Sequence, residues 1–371
     1  MIPLQNQNEK TDPQGIMKPR RKSRKVKVGS LFIGGDAPIT IQSMTTTETT
    51  DAKATIEQIN GLEEVGCDIV RVSANTMDAA KALKEIKANI NLPLVADIHF
   101  DYRIALEAAK YVDKLRINPG NIGGKDQVKA VVAAAKEYSL PIRIGVNLGS
   151  LERDLFMRYG YTSAAMVESA FRHIRMLEDL DFHDIIVSLK ASDVPRMVEA
   201  YRLFASKSDY PIHLGVTEAG SKVPGAIKSS MGMGMLLSEG IGDTLRVSLS
   251  DDPREEVKVA KHILRSLGLR KQGIEITSCP TCARTEVDVI KLVEEIEGRT
   301  EGIKQPIHVA IMGCAVNGPG ESAKADLGIV GAPGSHLLYK KGKIARRIDD
   351  KDVMSTLLKE IDALVLERKG Q

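Results

Sequence analysis

Short apolar and β-branched runs alternate along this chain with stretches whose apolar positions recur at helical spacing. The runs are Ile39 to Met44, Asp68 to Ser73, Leu92 to Ile98, Lys114 to Asn118, Pro141 to Asn147, Asp184 to Lys190, Pro211 to Glu218 and Thr244 to Ser250. Each is followed by a helical stretch: 51 to 65, 78 to 89, 101 to 111, 125 to 138, 162 to 179, 193 to 206, 221 to 238 and 253 to 267. Eight strand and helix pairs in this length predict an α/β fold, the (β/α)8 TIM barrel. A doubly wound open sheet is the alternative, but no glycine fingerprint follows the first strand. Ahead of the repeat, 26 to 37 reads as a hairpin around Gly34-Gly35-Asp36, placed to plug one end of the barrel.

After about Gly268 the pattern changes. A strand at Ile274 to Thr277, a helix at 283 to 297, strands at 306 to 312, 326 to 331, 335 to 340 and 344 to 348, and a helix at 351 to 367 predict a smaller α+β domain. The expected division is a leader at 1–25, a barrel at 26–268 and a second domain at 269–371. A chain of 371 residues agrees, since one hydrophobic core rarely serves that length.

The barrel strands end in polar residues. Arg71 and Ser73, Asp97 and His99, Arg116 and Asn118, Arg143 and Asn147, Ser188 and Lys190, Thr217 with Glu218, and Arg246 and Ser248 close successive runs. Alternation by two keeps the members of each spaced pair on one face. With that face inward, Arg71, Arg116, Arg143, Lys190 and Arg246 converge on the mouth where such barrels bind ligands. So many cations repel one another unless an anion joins them, and guanidinium forks match phosphate oxygens, so a diphosphate or similar polyanion is the expected ligand. A structural network with Asp97, Glu218 and other carboxylates is the competing reading. Glu218, at the end of an otherwise apolar strand, is expected to point into the cavity as a general acid or as a counter-ion.

Charge narrows the classes of function. Lys+Arg 52 against Asp+Glu 49 leaves a net charge of +3, too balanced for a nucleic-acid footprint over the whole surface. The local excess at Lys18 to Lys27 reads as a disordered, solvated tail, with a nucleic-acid arm as the lesser reading. No signal peptide or membrane span is found, and the expected location is the cytoplasm.

Four cysteines make no disulfide framework. Cys67 is expected to be a small buried residue, whereas Cys279-Pro-Thr-Cys282 and Cys314-Ala-Val-Asn-Gly-Pro-Gly-Glu321 bring soft ligands into turns. No fourth Cys or His follows at ligand spacing, which leaves Glu321 as the candidate fourth ligand. An iron-sulfur cluster, a zinc knot and a redox dithiol all fit this spacing.

These cysteine motifs, with Arg71-Val-Ser73, Leu115-Arg-Ile-Asn-Pro-Gly-Asn121 and Gly215-Val-Thr-Glu-Ala-Gly220, resemble the 4-hydroxy-3-methylbut-2-enyl diphosphate synthase family of the non-mevalonate isoprenoid pathway over about 26 to 368. The resemblance implies a barrel joined to a [4Fe-4S] domain and a two-electron reductive ring opening and dehydration of 2-C-methyl-D-erythritol 2,4-cyclodiphosphate. It implies Cys279, Cys282, Cys314 and Glu321 as cluster ligands, Glu218 as the group assisting hydroxyl loss, and reduced flavodoxin or ferredoxin as donor. The missing extra domain of plant and apicoplast forms suggests the bacterial form. A phosphate-binding barrel lyase or transferase with a structural zinc domain remains the rival, and a nucleic-acid-binding protein the second. Because barrel helices run back from the mouth, the linker after Leu267 leaves from the opposite end, which predicts a head-to-tail homodimer. A hinge is expected near Gly268 to Gly273.

Overall fold

The computed structural model describes residues 17–369. It divides into two compact units between Leu269 and Arg270. Among the described residues no helix is long and apolar enough to cross a membrane.

The first unit opens with the antiparallel hairpin β1 (Val26–Val28) and β2 (Leu31–Ile33), in which Val26 faces Ile33. Val26, Val28 and Ile33 pack on Ile69, Val95 and Ile186, inward residues near the starts of three barrel strands. The hairpin therefore stoppers the lower end of the barrel, as the sequence predicts. Each buried Val or Ile side chain in such a plug contributes roughly 1.5–3 kcal/mol.

The barrel follows in order: β3 (Thr40–Met44), α1 (Ala52–Glu64), β4 (Ile69–Ser73), α2 (Met77–Ala88), β5 (Leu94–Asp97), α3 (Tyr102–Ala108), β6 (Lys114–Arg116), α4 (Lys125–Glu137) and β7 (Ile142–Asn147). After an unpredicted short helix, α5 (Arg153–Tyr159), come α6 (Ser163–Glu178), β8 (Ile185–Lys190), α7 (Val194–Ala205), β9 (His213–Leu214), α8 (Lys222–Ser238), β10 (Thr244–Leu245) and α9 (Pro253–Ser266). The strands are parallel in the spatial order β8-β7-β6-β5-β4-β3-β10-β9. A bridge between Val187 and Ile212, with Val187 N–H donating to Pro211 O at 2.9 Å, draws the two ends of that order together. Helix starts are set by side-chain caps: Asp51 accepts from Ala54 N–H, Thr76 from Ala79, Thr162 from Ala165 and Asp193 from Arg196.

Two expectations are corrected here. Strands β9 and β10 are only two residues long where 211–218 and 244–250 were expected. The inward alternation outlasts the ladder, for Arg246 N–H still bonds Leu214 O at 3.0 Å, but at Glu218 the backbone turns left-handed (φ 45) and the alternation ends. The basic cluster is not a free tail either. Lys18 N–H bonds Ser238 O, Arg21 N–H bonds Gly240 O, and Arg20 reaches buried Asp243 at 2.9 Å. Arg24 pairs with Asp209 at 2.8 Å and lies over the Tyr210 ring. These arginines find their anions on the barrel itself, which strips the segment of the freedom a nucleic-acid arm needs. Residues 1–16 of the expected 1–25 leader lie outside the described residues.

The second unit has β11 (Ile274–Ser278), α10 (Val289–Thr300), β12 (Ile307–Met312), the short α11 (Gly318–Ser322), β13 (Leu327–Val330), β14 (His336–Lys340), β15 (Lys343–Ile348) and α12 (Val353–Lys369). Its sheet runs β11-β12-β13-β14-β15, parallel through β13 and antiparallel beyond. Leu292 and Ile296 of α10, and Leu357 and Ile361 of α12, join Val309, Ile311, Leu327 and Ile329 in its core. Helix α10 begins six residues later than the predicted 283. Asp288 caps it, while Glu286 N–H bonds Gly313 O at 2.8 Å and ties the preceding segment to the next cysteine loop.

Candidate functional site

The strand ends enclose a cavity of about 230 Å³. Its walls are Arg71, Asp97, His99, Arg116, Arg143, Asn147, Ser188, Lys190, Thr217, Arg246 and Ser248, all named from the strand ends in the sequence. Glu218 is not among them. Beyond the left-handed turn its side chain is exposed and accepts from the Thr217 hydroxyl at 3.2 Å, so it stands beside a lining residue rather than inside the cavity. Asn118 is also absent from the lining; it clasps the Gly145 backbone with two hydrogen bonds of 2.9 Å.

Two buried carboxylates organise the cations. Asp97 meets Arg116 at 3.0 Å, and Arg71 and His99 at 3.6 Å. Burial alone would raise its pKa, but Arg71, His99 and Arg116 together hold it well below the usual carboxylate range. Glu256, from the first turn of α9, takes both Nε and Nη2 of Arg246 at 3.2 Å. It also accepts from Leu249 N–H and the Ser43 hydroxyl at 3.0 Å. The Met44 thioether receives Arg71 Nη2 at 2.8 Å and lies 3.7 Å from Arg246 Nη1.

Sequence reasoning missed Glu256 and Met44. A signal existed for Glu256: it occupies the buried stripe of α9 with Val257, Ala260, Ile263 and Leu264, where a carboxylate is costly unless paired. Nothing in the sequence marks Met44.

The donors still exceed the acceptors. Arg143, 1% exposed, donates to the Ser188 hydroxyl at 2.9 Å, yet among the described residues its Nε and Nη2 have no partner. Burial brings Arg71 down to about 10 despite Asp97 beside it. Two glycines make this crowding possible. A Cβ at Gly145 would stand 2.6 Å from Arg116 Nε, and one at Gly215 2.6 Å from Lys190 Nζ.

The loop after β6 is buttressed from behind. Gly120 N–H donates to His173 Nδ1 at 3.2 Å, which leaves the proton on Nε2 to face Glu152 at 3.2 Å. The half-buried Glu152 is pushed down to about 2, its bonds from His173 and Ser169 outweighing burial.

In the second unit Cys279 follows β11 and Cys314 follows β12, at the same end of neighbouring parallel strands. Gly313 N–H donates to Cys279 Sγ at 3.1 Å and joins the two loops. Cys282 is exposed, and the Arg284 N–H and charge lower its thiol pKa. An amide donor at one sulfur, an acidified thiol at a second and a third on the adjacent strand suit soft-metal ligation. Glu321 lies in α11 and is 3.6 Å from Lys324. Among the described residues no three Cys, His, Asp or Glu side chains are already gathered around one ion. Cys67 is buried, with its thiol pushed up to about 12 by desolvation, as befits a packing residue.

By its fold the first unit is a TIM barrel with a cation-lined cavity at the C-terminal side of its strands. A dihydropteroate synthase from Stenotrophomonas maltophilia shares that fold, with TM-score 0.50 at 12% identity over 66% of this chain and 98% of the other. Residues 23–261 match the GcpE TIM-barrel domain and 275–363 the GcpE protein C-terminal domain. The 4-hydroxy-3-methylbut-2-en-1-yl diphosphate synthase (flavodoxin) of Clostridium perfringens is 54% identical over 93% of this chain and 99% of its own length. The relative of that name in Geobacillus thermodenitrificans is 57% identical over 94% of each. The chain belongs to this enzyme family.

Proposed function

We propose that the protein carries out the two-electron reductive ring opening and dehydration of 2-C-methyl-D-erythritol 2,4-cyclodiphosphate to 4-hydroxy-3-methylbut-2-enyl diphosphate. The observation that carries this reading is the cavity itself: five cationic side chains face two carboxylates, and an anionic diphosphate would supply the missing charge. Arg143 and Lys190 are the natural grips, since Asp97 and Glu256 already occupy the other cations. A phosphate oxygen released by ring opening would stay held by the same donors.

Cys279, Cys282 and Cys314, with Glu321 as a harder and displaceable fourth ligand, would hold a [4Fe-4S] cluster. Bound there, the cluster would supply single electrons and an exchangeable iron for a substrate oxygen. Flavodoxin, which the names of the relatives carry, is the proposed donor, with ferredoxin the alternative. Glu218, beside Thr217 and open to solvent, would give the proton with which the departing hydroxyl leaves as water. Free cysteines at all four positions accord with a cytoplasmic location.

A head-to-tail homodimer belongs to the same proposal. Leu267 to Leu269 lie with Ile39 and Gly242, which precede β3 and β10, so the chain quits the barrel at the end opposite the cavity. The cysteine loops of one chain would then serve the cavity of its partner.

Anaerobic purification with iron and sulfide analysis tests the central claim. About four iron per chain and turnover of the cyclodiphosphate are expected, whereas zinc alone would sink it in favour of the non-redox barrel enzyme. Glu218→Gln should keep the iron and lose turnover. Mixing Cys314→Ser with Arg143→Ala chains, each inactive alone, should restore activity in the mixed dimer; no recovery would reject the shared site.

A further inference from the structure

Below the cavity the barrel interior is polar, where branched apolar side chains ordinarily fill such barrels. Gln42, Lys114, His213 and Thr244 are buried there. Lys114 Nζ has Gln42 Oε1 at 3.3 Å, and among the described residues neither ring nitrogen of His213 has a partner. Lys190 stands where this layer meets the cavity. It is 7% exposed, and its ammonium lies against Gly215, two positions along the strand from His213.

The charged groups that bear on Lys190 come from every side. Arg246 follows β10, Arg143 is on β7 and Arg71 on β4; Glu256 of α9 acts most weakly. Glu256 is already spent on Arg246, and Asp97 on Arg71 and Arg116. His213 faces Arg143, Lys190, Lys114 and Arg71, so it offers no negative charge in compensation. A buried ring of cations without enough anions must shed a proton. Guanidinium holds its proton too tightly to be the source, whereas a lysine amine gives its proton up readily when buried.

We propose that Lys190 stands as a neutral amine in the empty cavity and takes up its proton together with the polyanion. Burial first, then Arg246, Arg143 and Arg71, pull its pKa well below the ordinary lysine value, in agreement. An entering dianion reverses the local field, and the protonated amine becomes one of its ligands. The cavity thereby discriminates by charge: a monoanion repays little of the cost of protonating Lys190, and a diphosphate repays most of it. This inference rests on the polyanion reading of the cavity but on no property of a metal cluster.

The sign follows from linkage. Because the complex holds one more proton than its separated parts, affinity rises as pH falls across the range in which free Lys190 is neutral, by up to about tenfold per pH unit.

Titration calorimetry of the full chain with sodium sulfate, in two buffers of different ionisation enthalpy at pH 7.5, reads the proton count directly. Sulfate stays fully ionised there, so any proton taken up belongs to the protein. The expected result is uptake approaching one proton per sulfate bound. Lys190→Arg should bind sulfate with uptake abolished, and Lys114→Met should retain the uptake. Sulfate binding without uptake in the unaltered protein, or uptake that survives Lys190→Arg, would overturn the proposal and leave the polyanion reading standing. No sulfate binding at all would overturn that reading as well.

Discussion

The cationic cavity and the cysteine loops hold their functional groups in opposite ways. In the barrel, the guanidiniums of Arg71, Arg116 and Arg246 are fixed by buried partners before any ligand arrives. Around the cysteines, one amide bond to Cys279 and one turn at Thr285 do most of the fixing, Cys282 is exposed, and Glu321 faces Lys324. A site for a mobile polyanion can be built by the fold alone, because its groups need only face inward from rigid strands. A thiolate site costs repulsion until metal fills it, so on the proposed reading these loops would stay open until binding completes them.

Several experiments would break or sharpen that contrast. If Cys314 holds the proposed cluster, Cys314→Ser should lower turnover by more than about a hundredfold, as loss of a metal ligand exceeds the usual cost of altering its supporting shell. The thermal unfolding of the metal-free protein should barely change. A large stability loss in that metal-free form would show that the loops are as pre-built as the cavity.

Glu256→Ala acts in the opposite sense. It removes the buried partner of the part-buried Arg246 and should destabilise the barrel by about 1–3 kcal/mol, measurable by urea denaturation. Little change would mean that the cationic ring is not held by its carboxylates. Gly120→Ala puts a Cβ 2.8 Å from His173 Cε1 and should cost about 1–3 kcal/mol, with much of it recovered in the Gly120→Ala, His173→Ala double variant.

The smallest effect is acid resistance. Asp97 and Glu152 have folded pKa values below their unfolded ones, so the stability they contribute is present above about pH 4 and lost as pH falls through the folded values. Melting curves from pH 7 to 2 should fall most steeply below about pH 4, and Asp97→Asn should flatten that fall.

Much of this contrast was legible in the chain. Arg71, Arg116, Arg143 and Lys190 lie on strands whose side chains alternate between the two faces, so facing could be read from spacing, and all four line the cavity. Glu218 was misplaced because one left-handed residue ends the alternation, and no residue type there announces it. The basic segment at 18 to 24 misled because composition registers charge but not the buried Asp243 that answers it. The late start of α10 escaped because the sequence from 283 to 288 carries no breaker, whereas a tertiary bond to Gly313 O decides it.

Gly145 and Gly215 set a limit on how this barrel can drift. A single added methyl at Gly145 collides with the Arg116 guanidinium alone, whereas one at Gly215 meets the Lys190 amine and, at 2.9 Å, the Arg246 carbonyl oxygen, so at Gly145 the first loss would be a misplaced donor in the cavity. The charge inventory of the cavity is thus guarded by two positions that carry no charge themselves.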